Sequence, residues 1–301
     1  MLSVPIEIRS DEPLSAHTFW KLGGPARHFA EPNTEEELLY CLRRAEAEGW
    51  RVLALGGGSN LLIADSGFDG LAIAYRGASE SAVEKGERAR VRLGAGALLA
   101  PAARRWARQG WAGLEWAEGI PGTIGGAVAG NAGAYGGDVA GALRSVEVLS
   151  DATRVESWTV EDCGFAYRRS HLRELGPGRA FVVAATFLFR RSEPTRLVER
   201  MSAIGAERKA KTPAGLSCGS VWKNPPGDHA GRLIESAGLK GLREGAAEIS
   251  TVHANYIVNR GGALASDVLR LIERVEAAIE DRFGVRLERE VQLIGYPESD
   301  R

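Results

Sequence analysis

Two short stretches of this sequence bring together side chains that donate protons and bind anions. Tyr167-Arg-Arg-Ser170 carries a phenol, guanidinium groups and a hydroxyl, and Gly219-Ser-Val-Trp-Lys-Asn-Pro225 carries a hydroxyl, an ammonium and an amide. A third stretch, Leu287-Glu-Arg-Glu-Val291, places Glu288 and Glu290 on one face of a predicted strand. Their ordinary alternatives are a surface ion pair for the arginine and exposure to solvent for the glutamates.

Glycine-rich loops offer a second kind of anion-binding group, the backbone N–H. Gly56-Gly-Gly-Ser-Asn60 follows a predicted strand, and its consecutive N–H groups favour a phosphate nest over an ordinary loop. From Gly119 to Gly137 eight positions are Gly, interleaved with apolar residues that a flexible linker would lack. The whole stretch Gly113–Asp138 predicts either a turn between buried elements or a backbone surface that fits a large phosphate-carrying ligand.

Other common sites are not predicted. Gly94-Ala-Gly-Ala-Leu-Leu99 begins like a dinucleotide fingerprint, but Leu99 holds the third glycine position and no acidic residue ends a strand about twenty residues later. Gly56–Asn60 is not followed by the Gly-Lys-Ser/Thr of a Walker A loop. No metal site is expected from the spacing of the histidines and cysteines, which are His17, His28, His171, His229, His253, Cys41, Cys163 and Cys218.

Periodicity and capping residues predict the elements that position these stretches. Predicted helices span 33–48, with Asn33 or Thr34 as N-cap, 98–109, 194–211, 232–237 with Gly238 after its end, and 266–283 with Ser266 as cap; a further helix starts at 159–163. Residues 18–27 followed by 29–32 are predicted as a strand, a tight glycine turn and a second strand. Further predicted strands span 50–55, 71–75, 89–93, 145–149, 180–189, 219–225, 253–259 and 285–294. Arg190–Pro194 is the clearest domain boundary.

Composition bounds the class of protein. The chain has 301 residues, enough for two or three domains, and a net charge of −1, which gives no overall attraction to nucleic acid or to an anionic membrane. No apolar run reaches about 18 residues, and the N-terminus lacks a signal-peptide core. Three widely spaced cysteines predict no disulfide framework. These features together predict a cytoplasmic protein.

Seven motifs, in order and spacing, resemble the UDP-N-acetylenolpyruvoylglucosamine reductase family over about 18–294. They are Gly56-Gly-Gly-Ser-Asn-Leu-Leu62, Gly119-Ile-Pro-Gly-Thr-Ile-Gly-Gly126, Asn131-Ala-Gly-Ala-Tyr-Gly136, Tyr167-Arg-x-Ser170, Gly219–Pro225, Ala230-Gly-Arg-Leu-Ile-Glu235 and Leu287-Glu-x-Glu-Val291. The short segment between Ser170 and Phe181 resembles the compact subclass, which lacks an extra substrate-covering loop.

The resemblance implies an α+β fold and a flavoenzyme. Two FAD-binding subdomains of the vanillyl-alcohol-oxidase/PCMH type, at 1–72 and 73–190, precede a C-terminal α/β substrate-binding domain at 191–301. It also implies non-covalent FAD, NADPH as reductant and UDP-N-acetylglucosamine-enolpyruvate as substrate. The implied cofactor-binding residues are Gly56, Gly57, Gly58, Ser59, Asn60, Leu61, Gly119, Ile120, Pro121, Gly122, Thr123, Gly125, Gly126, Asn131, Gly133 and Tyr135.

The resemblance also implies the residues that do the chemistry. Arg168 matches the family's active-site arginine, Ser220 its general acid, and Glu290, rather than Glu288, its catalytic carboxylate. The implied substrate contacts are Tyr167, Lys211, Lys223, Asn224, His253 and Asn255, with Lys223 open between a substrate contact and a local ion pair. Two other functions stay open: a flavin oxidase or dehydrogenase acting on another donor, and a catalytically silent sugar-nucleotide-binding protein.

Overall fold

The structure is a computed structural model that describes residues 6–150, 154–176 and 178–297. The outer ends of the predicted first and last domains, Met1 and Arg301, lie outside the described residues. The chain divides into two compact units. Unit 1 comprises the described residues up to Ser10, then His28–Gly57 and Gly70–Arg208. Unit 2 comprises Asp11–Arg27, Gly58–Asp69 and the described residues from Lys209 onward. The three predicted domains stay a prediction.

The helices and strands alternate along the chain. The helices are α1 Glu35–Ala47, α2 Leu99–Arg108, α3 Ile124–Ala129, α4 Val139–Ala142, α5 His171–Glu174, α6 Pro194–Lys211, α7 Ala230–Ser236 and α8 Ala265–Phe283. The strands are β1 Arg9–Pro13, β2 Pro25–Ala30, β3 Val52–Ala54, β4 Leu61–Ile63, β5 Phe68–Ile73, β6 Glu80–Lys85, β7 Arg88–Gly94, β8 Trp111–Ala112, β9 Gly133–Ala134, β10 Gly137–Asp138, β11 Leu143–Leu149, β12 Glu156–Thr159, β13 Phe181–Arg191, β14 Arg243–Glu244, β15 Ala247–Ile249, β16 Ile257–Asn259 and β17 Gln292–Ile294. Among the described residues, no helix is both long enough and apolar enough to cross a bilayer.

Unit 1 contains a sheet in the order β12-β11-β13-β7-β6, with β8 paired to β13. β13 is the long central strand and pairs antiparallel with β11 and β7. The apolar face of α2 packs in the same core, where the rings of Trp106 and Phe189 lie 5.7 Å apart edge to face. The arginines predicted for the wet side of α2 are exposed, as expected: Arg104, Arg105 and Arg108.

The helix predicted over 33–48 is confirmed as α1. Thr34 is its N-cap, since the Thr34 hydroxyl accepts from the Glu37 N–H while the Glu37 carboxylate accepts in return from the N-cap backbone. Leu38 and Cys41 on its apolar face are fully buried. The strands β3 and β5 that follow pair in parallel, beginning with Val52 opposite Leu71. A polar cap and an apolar stripe at helical spacing therefore suffice to fix this helix.

Unit 2 joins early and late parts of the chain. β4 pairs in parallel with β17, and α8 carries its apolar stripe, including Val268 and Ile272, into the core. Asp65 caps α8, because its two carboxylate oxygens accept from the N–H groups of Ala265 at 2.7 Å and Ser266 at 3.0 Å. β14, β15 and β16 form an antiparallel sheet.

Several predicted elements differ from the structure. Of the strand, glycine turn and second strand predicted over 18–32, the second strand is confirmed as β2 Pro25–Ala30, whereas the first is wrong, because Phe19 and Trp20 lie in a turn and Lys21 has a φ of +56°. The helix predicted to start at 159–163 is a turn, closed by a hydrogen bond of 3.2 Å from the Cys163 N–H to the Thr159 carbonyl. It ends at Gly164, whose φ of +54° is incompatible with continuing a right-handed helix.

Two further differences affect the predicted catalytic segments. The strands predicted over 219–225 and 285–294 reduce to a single bridge, Trp222–Arg289, and to β17. Ser266 lies inside the first turn of α8, and the cap comes from Asp65, 200 residues earlier, which local sequence patterns cannot predict. Gly238 follows the end of α7 with a φ of +75°, as predicted.

Candidate active site

The side chain of Asn131 holds together the predicted site residues of unit 1. Its Oδ1 accepts from the Ala140 N–H at 3.1 Å and its Nδ2 donates to the Ala166 carbonyl at 2.9 Å. Asn131 is 3 % exposed and has a φ of +42°. Both functional atoms of this amide are thus engaged by the protein, so that Asn131 fixes the turn that carries Arg168.

Arg168 occupies a tight turn with a left-handed backbone. Ala166 and Arg169 close the turn with reciprocal backbone hydrogen bonds of 3.2 and 3.1 Å, and the φ of Arg168 is +55°. This conformation costs a non-glycine residue about 1 kcal/mol. The guanidinium donates to the Gly133 carbonyl at 2.6 Å and lies 5.3 Å from the ring of Tyr167, an exposed residue. Arg168 therefore keeps a left-handed backbone at a position where glycine would be less strained.

The two glycine-rich loops meet backbone to backbone within unit 1. A Cβ on Gly57 would lie 2.7 Å from the Gly122 Cα, closer than side chains allow, so only glycine fits there. The N–H groups of Gly56, Gly57 and Gly122 donate to no acceptor within the part of the chain that the structure describes. Three unused N–H donors from two loops in contact fit the phosphates of a dinucleotide cofactor such as FAD.

The three N–H groups of Gly56, Gly57 and Gly122, called the glycine cradle below, are supported by Gly94–Leu99, the stretch that imitates a dinucleotide fingerprint. The N–H groups of Gly125 and Ile124 donate to the carbonyls of Ala95 at 2.9 Å and Ala97 at 2.8 Å. In return, the Leu99 N–H donates to the Gly122 carbonyl at 3.1 Å. Gly94–Leu99 therefore holds the Gly122–Gly125 backbone in place by hydrogen bonds.

The remaining predicted cofactor residues of unit 1 lie beside these loops. Gly119, Ile120 and Pro121 follow the 3-10 helix Glu115–Ala117. Thr123 caps α3, since its hydroxyl accepts from the Gly126 N–H at 3.3 Å. Gly133 and Tyr135 belong to the β9–β10 hairpin, and the φ of Tyr135 is +50°.

In unit 2, the segments that carry Ser220 and Glu290 run antiparallel. The Glu290 N–H donates to the Val221 carbonyl at 2.8 Å, and the Lys223 N–H donates to the Glu288 carbonyl at 2.8 Å, on either side of the Trp222–Arg289 bridge. Ser220 and Glu290 are both partly exposed. The backbone thus places the hydroxyl and the carboxylate on neighbouring segments.

Asn255 fixes the backbone next to Ser220. Its Oδ1 accepts from the N–H groups of Val221 at 3.1 Å and Trp222 at 2.9 Å, and its Nδ2 donates to the Trp222 carbonyl at 2.8 Å. The residue is 3 % exposed. The structure therefore places the predicted substrate contact Asn255 in a clamp on the Ser220 segment.

Glu276 of α8 is a residue that the sequence did not reveal. Its carboxylate accepts from the Trp222 indole N–H at 3.0 Å and from two nitrogens of Arg289 at 2.8 and 2.7 Å. Both partners of the bridge between the segments that carry Ser220 and Glu290 are thereby anchored to one helix. No motif or periodicity marks Glu276, because its role depends on partners far away in the sequence.

The second half of the first glycine-rich loop belongs to unit 2. The Asn60 amide donates to the Glu290 carbonyl at 3.0 Å, and the Asn60 carbonyl accepts from the Gln292 N–H at 3.1 Å. Leu61 begins β4, Gly58 packs against the Leu14–His17 helix, and Ser59 lies between Gly58 and Asn60. Asn60 therefore ties the loop to the segment that carries Glu290.

The other predicted substrate contacts of unit 2 differ in their engagement. Lys223 is buried and its ammonium pairs with the Glu288 carboxylate, the local ion pair left open by the sequence. The Asn224 Oδ1 accepts from the Ala230 N–H at 3.1 Å at the start of α7. Lys211, at the end of α6, is exposed.

Burial and charge shift two pKa values in unit 2. Burial, followed by the positive charge of Lys240, lowers the pKa of His253, and Lys211 adds a smaller effect of the same sign. Burial, followed by the charge of Glu290, raises the pKa of the Cys218 thiol well above its ordinary value. Cys218 is therefore a neutral, inert neighbour of the Glu290 carboxylate.

Family models match most of the chain. Residues 26–155 match a model described as an FAD binding domain, and residues 211–294 match one described as UDP-N-acetylenolpyruvoylglucosamine reductase, C-terminal domain. These matches, with the mixed helices and strands, confirm the predicted fold class.

Full-length relatives carry the same reductase name. The UDP-N-acetylenolpyruvoylglucosamine reductase of Chloroflexus aggregans is 51% identical over 97% of this chain and 99% of its own. That of Rubrobacter xylanophilus is 46% identical over 95% of each chain. The crystal structure of the Thermus caldophilus enzyme has a TM-score of 0.80, with 37% identity over 96% of this chain and 99% of its own.

Proposed function

The chain belongs to the UDP-N-acetylenolpyruvoylglucosamine reductase family, and from this we propose that Arg168, Ser220 and Glu290 carry its reaction. The protein is an NADPH-dependent flavoenzyme that reduces UDP-N-acetylglucosamine-enolpyruvate to UDP-N-acetylmuramate, a peptidoglycan precursor. The FAD is held without a covalent bond. When bound, it supplies hydride transfer from NADPH to the terminal carbon of the enolpyruvyl ether.

The glycine cradle of unit 1 holds the FAD. Its fit rests on the N–H groups of Gly56, Gly57 and Gly122, which have no described acceptor, and on the backbone contact that excludes a Cβ at Gly57. Gly94–Leu99 keeps the cradle rigid by hydrogen bonds. Because these donors are already held in place, binding a diphosphate does not carry the entropic cost of ordering the loops.

Arg168 binds the carboxylate end of the substrate. Hydride addition leaves negative charge on the adjacent carbon and the carboxylate, and a guanidinium stabilises such charge because it binds two oxygens and keeps its proton. The turn at Ala166–Arg169 and the hydrogen bond to Gly133 hold Arg168 before substrate arrives. Arg168 therefore stabilises the charge that develops during reduction.

Ser220 donates the proton that completes the reduction. A serine hydroxyl is a weak acid, but the enolate carbon formed beside an ether and a carboxylate is a strong enough base to take its proton. The Asn255 clamp on Val221 and Trp222 fixes the backbone next to this hydroxyl. Asn255 is a positioning residue for proton transfer.

Glu290 orients and polarises the substrate carboxylate end. Its segment is held by the Val221 carbonyl, by the Asn60 amide and, through Arg289, by Glu276. Lys223 is neutralised by Glu288 and stabilises the same pair of segments. Contacts from several distant parts of unit 2 therefore fix the backbone that carries the Glu290 carboxylate.

The observation that supports this proposal is that hydrogen bonds hold the segments of Arg168, Ser220 and Glu290 in place, in a chain that belongs to the reductase family. The test measures NADPH oxidation by the purified flavoprotein with and without UDP-N-acetylglucosamine-enolpyruvate. We expect turnover to depend on that substrate. A protein that binds no flavin, or that oxidises NADPH equally fast without the substrate, contradicts the proposal.

We also propose that the protein works in the cytoplasm. Its three cysteines, Cys41, Cys163 and Cys218, are free and buried, which suits a reducing compartment. Fractionation of cells that produce the tagged protein would test this, and recovery of the protein outside the cytoplasmic fraction would contradict it.

A further inference from the structure

Arg208, near the end of α6, lies across the glycine-rich loop that begins at Gly119. A Cβ built on Gly119 would lie 2.8 Å from the Arg208 Cδ and 3.4 Å from its Nε. Gly119 has a φ of +70° and is exposed, so its bare backbone leaves room for the arginine stem. The guanidinium is therefore beside the loop that supplies backbone donors to the cofactor cradle.

The helix that carries Arg208 packs on this loop at a second point. A Cβ on Gly205 would lie 3.6 Å from the Glu118 Cγ, so Gly205 and Arg208, which are three residues apart, face Glu118 and Gly119 in turn. Arg208 reaches the loop from a helix of 18 residues, not from a flexible terminus.

The Arg208 guanidinium lies beside this loop without a hydrogen-bonding partner among the described residues. It makes no hydrogen bond or ion pair with any residue in the described ranges 6–150, 154–176 and 178–297, although it is half-buried. The nearby carboxylate of Glu118 is engaged instead by Arg104, with hydrogen bonds of 3.0 and 2.8 Å from the Arg104 Nε. A half-buried cation without a partner among the described residues, beside the loop that carries the unused Gly122 N–H, suits an anionic ligand.

We propose that Arg208 binds a phosphate of a nucleotide at the Gly119–Thr123 loop, and that this phosphate belongs to the FAD diphosphate. FAD is favoured because the loop's own donor, the Gly122 N–H, lies in the cradle formed with Gly56 and Gly57. Two other phosphates share this chemistry, the 2′-phosphate of NADPH and the diphosphate of the UDP-sugar. The inference rests on the proposed function, which supplies all three ligands.

The test compares Arg208→Gln with Arg200→Gln, which removes the same charge from an exposed position on the same helix. FAD is titrated into each apoprotein, and its dissociation constant is measured from flavin fluorescence at two salt concentrations. Loss of a charged hydrogen bond predicts FAD binding about 10- to 100-fold weaker for Arg208→Gln, with a weaker dependence on salt. Arg200→Gln should bind FAD like the unaltered protein.

Two further measurements identify the source of the phosphate. Saturated with FAD, each variant is reduced anaerobically with NADPH and with NADH, and is then reoxidised with the UDP-sugar substrate. Weaker NADPH binding with unchanged NADH binding would assign Arg208 to the 2′-phosphate, and a raised half-saturating concentration of the UDP-sugar alone would assign it to that diphosphate; either result overturns the FAD assignment. Unchanged affinity for all three ligands would overturn the phosphate site itself.

This test separates failure of the inference from failure of the proposed function. If the unaltered protein binds FAD and turns over its substrate while Arg208→Gln behaves identically, only the inference fails. Unfolding of both apoproteins by urea serves as the control for folding, and we expect equal midpoints because Arg208 makes no bond to a described residue. A selective loss of FAD affinity at equal apoprotein stability confirms the site.

Discussion

The side-chain amide of Asn60 donates to the backbone carbonyl of Glu290 at 3.0 Å, across 230 residues of sequence. The Asn60 carbonyl in turn accepts from the Gln292 N–H. One residue of a glycine-rich loop thereby sets the backbone of a proposed catalytic carboxylate. Asn60 is a positioning residue in this arrangement.

Changing Asn60 to Asp should damage the reaction with the substrate. The aspartate cannot donate, and its charge repels the Glu290 carbonyl, so that the Glu290 segment shifts. In the variant saturated with FAD, we expect slower flavin reoxidation by the UDP-sugar, measured by stopped-flow absorbance, with reduction by NADPH little changed. Asn33→Asp, an exposed change beside α1, is the control; equal effects of the two changes would contradict the assigned role.

Ser220→Ala should separate the two half-reactions. NADPH still reduces the flavin, since that step needs no proton from Ser220, whereas reoxidation by the enolpyruvyl substrate slows by about 10²- to 10⁴-fold, the usual contribution of a general acid. Single-turnover absorbance measures both rates. Ser202→Ala, on the exposed side of α6, should leave both unchanged. Normal reoxidation by Ser220→Ala would remove this residue from its role.

Replacing Arg168 should abolish the reaction with the substrate, and the choice of replacement should change the stability of the turn. Both Arg168→Ala and Arg168→Gly lose the guanidinium and should fail to reoxidise with substrate. Because the φ is +55°, the glycine variant should nevertheless exceed the alanine variant in free energy of unfolding by about 1 kcal/mol, measured by urea denaturation. Equal stability of the two variants would show that the turn relaxes when the side chain is lost.

His253 should make stability depend on pH. Its pKa is lowered in the folded protein by burial and by Lys240, so the unfolded chain binds a proton more readily. The free energy of unfolding therefore decreases as the pH falls through about 6.5, the ordinary histidine value, toward the lower folded pKa. Urea midpoints at pH 7.5 and 5.5 should differ less in His253→Gln than in the unaltered protein. His229→Gln, at an exposed position, is the control, and an unchanged difference in His253→Gln would contradict the prediction.

The sequence predicted the long, self-sufficient elements well. α1 has its own cap in Thr34 and its own apolar stripe, and α6 matches its predicted bounds of 194–211. Elements whose ends depend on distant partners were predicted poorly. The cap of α8 comes from Asp65, and the 285–294 segment is strand only where β17 meets β4.

The site shows the same division. Residue types and motif order identified Arg168, Ser220 and Glu290 as the proposed chemical groups, because a motif records which side chains a reaction requires. The clamps made by Asn255 and Glu276 and the cation at Arg208 were not predicted, since each depends on packing between segments far apart in sequence. Even Asn131, expected at the cofactor, is engaged by Ala140 and Ala166.

The parallel pair of β4 with β17 has a consequence for how the protein is made. On the ribosome, Leu61–Ile63 emerges long before Gln292–Ile294, so β4 has no partner during nearly the whole of synthesis. The Asn60 amide must likewise wait for Glu290, and the Asp65 carboxylate waits for Ala265 and Ser266 at the start of α8. A nascent chain that stalls before β17 therefore exposes an unpaired apolar edge, a target for chaperones and a start for aggregation.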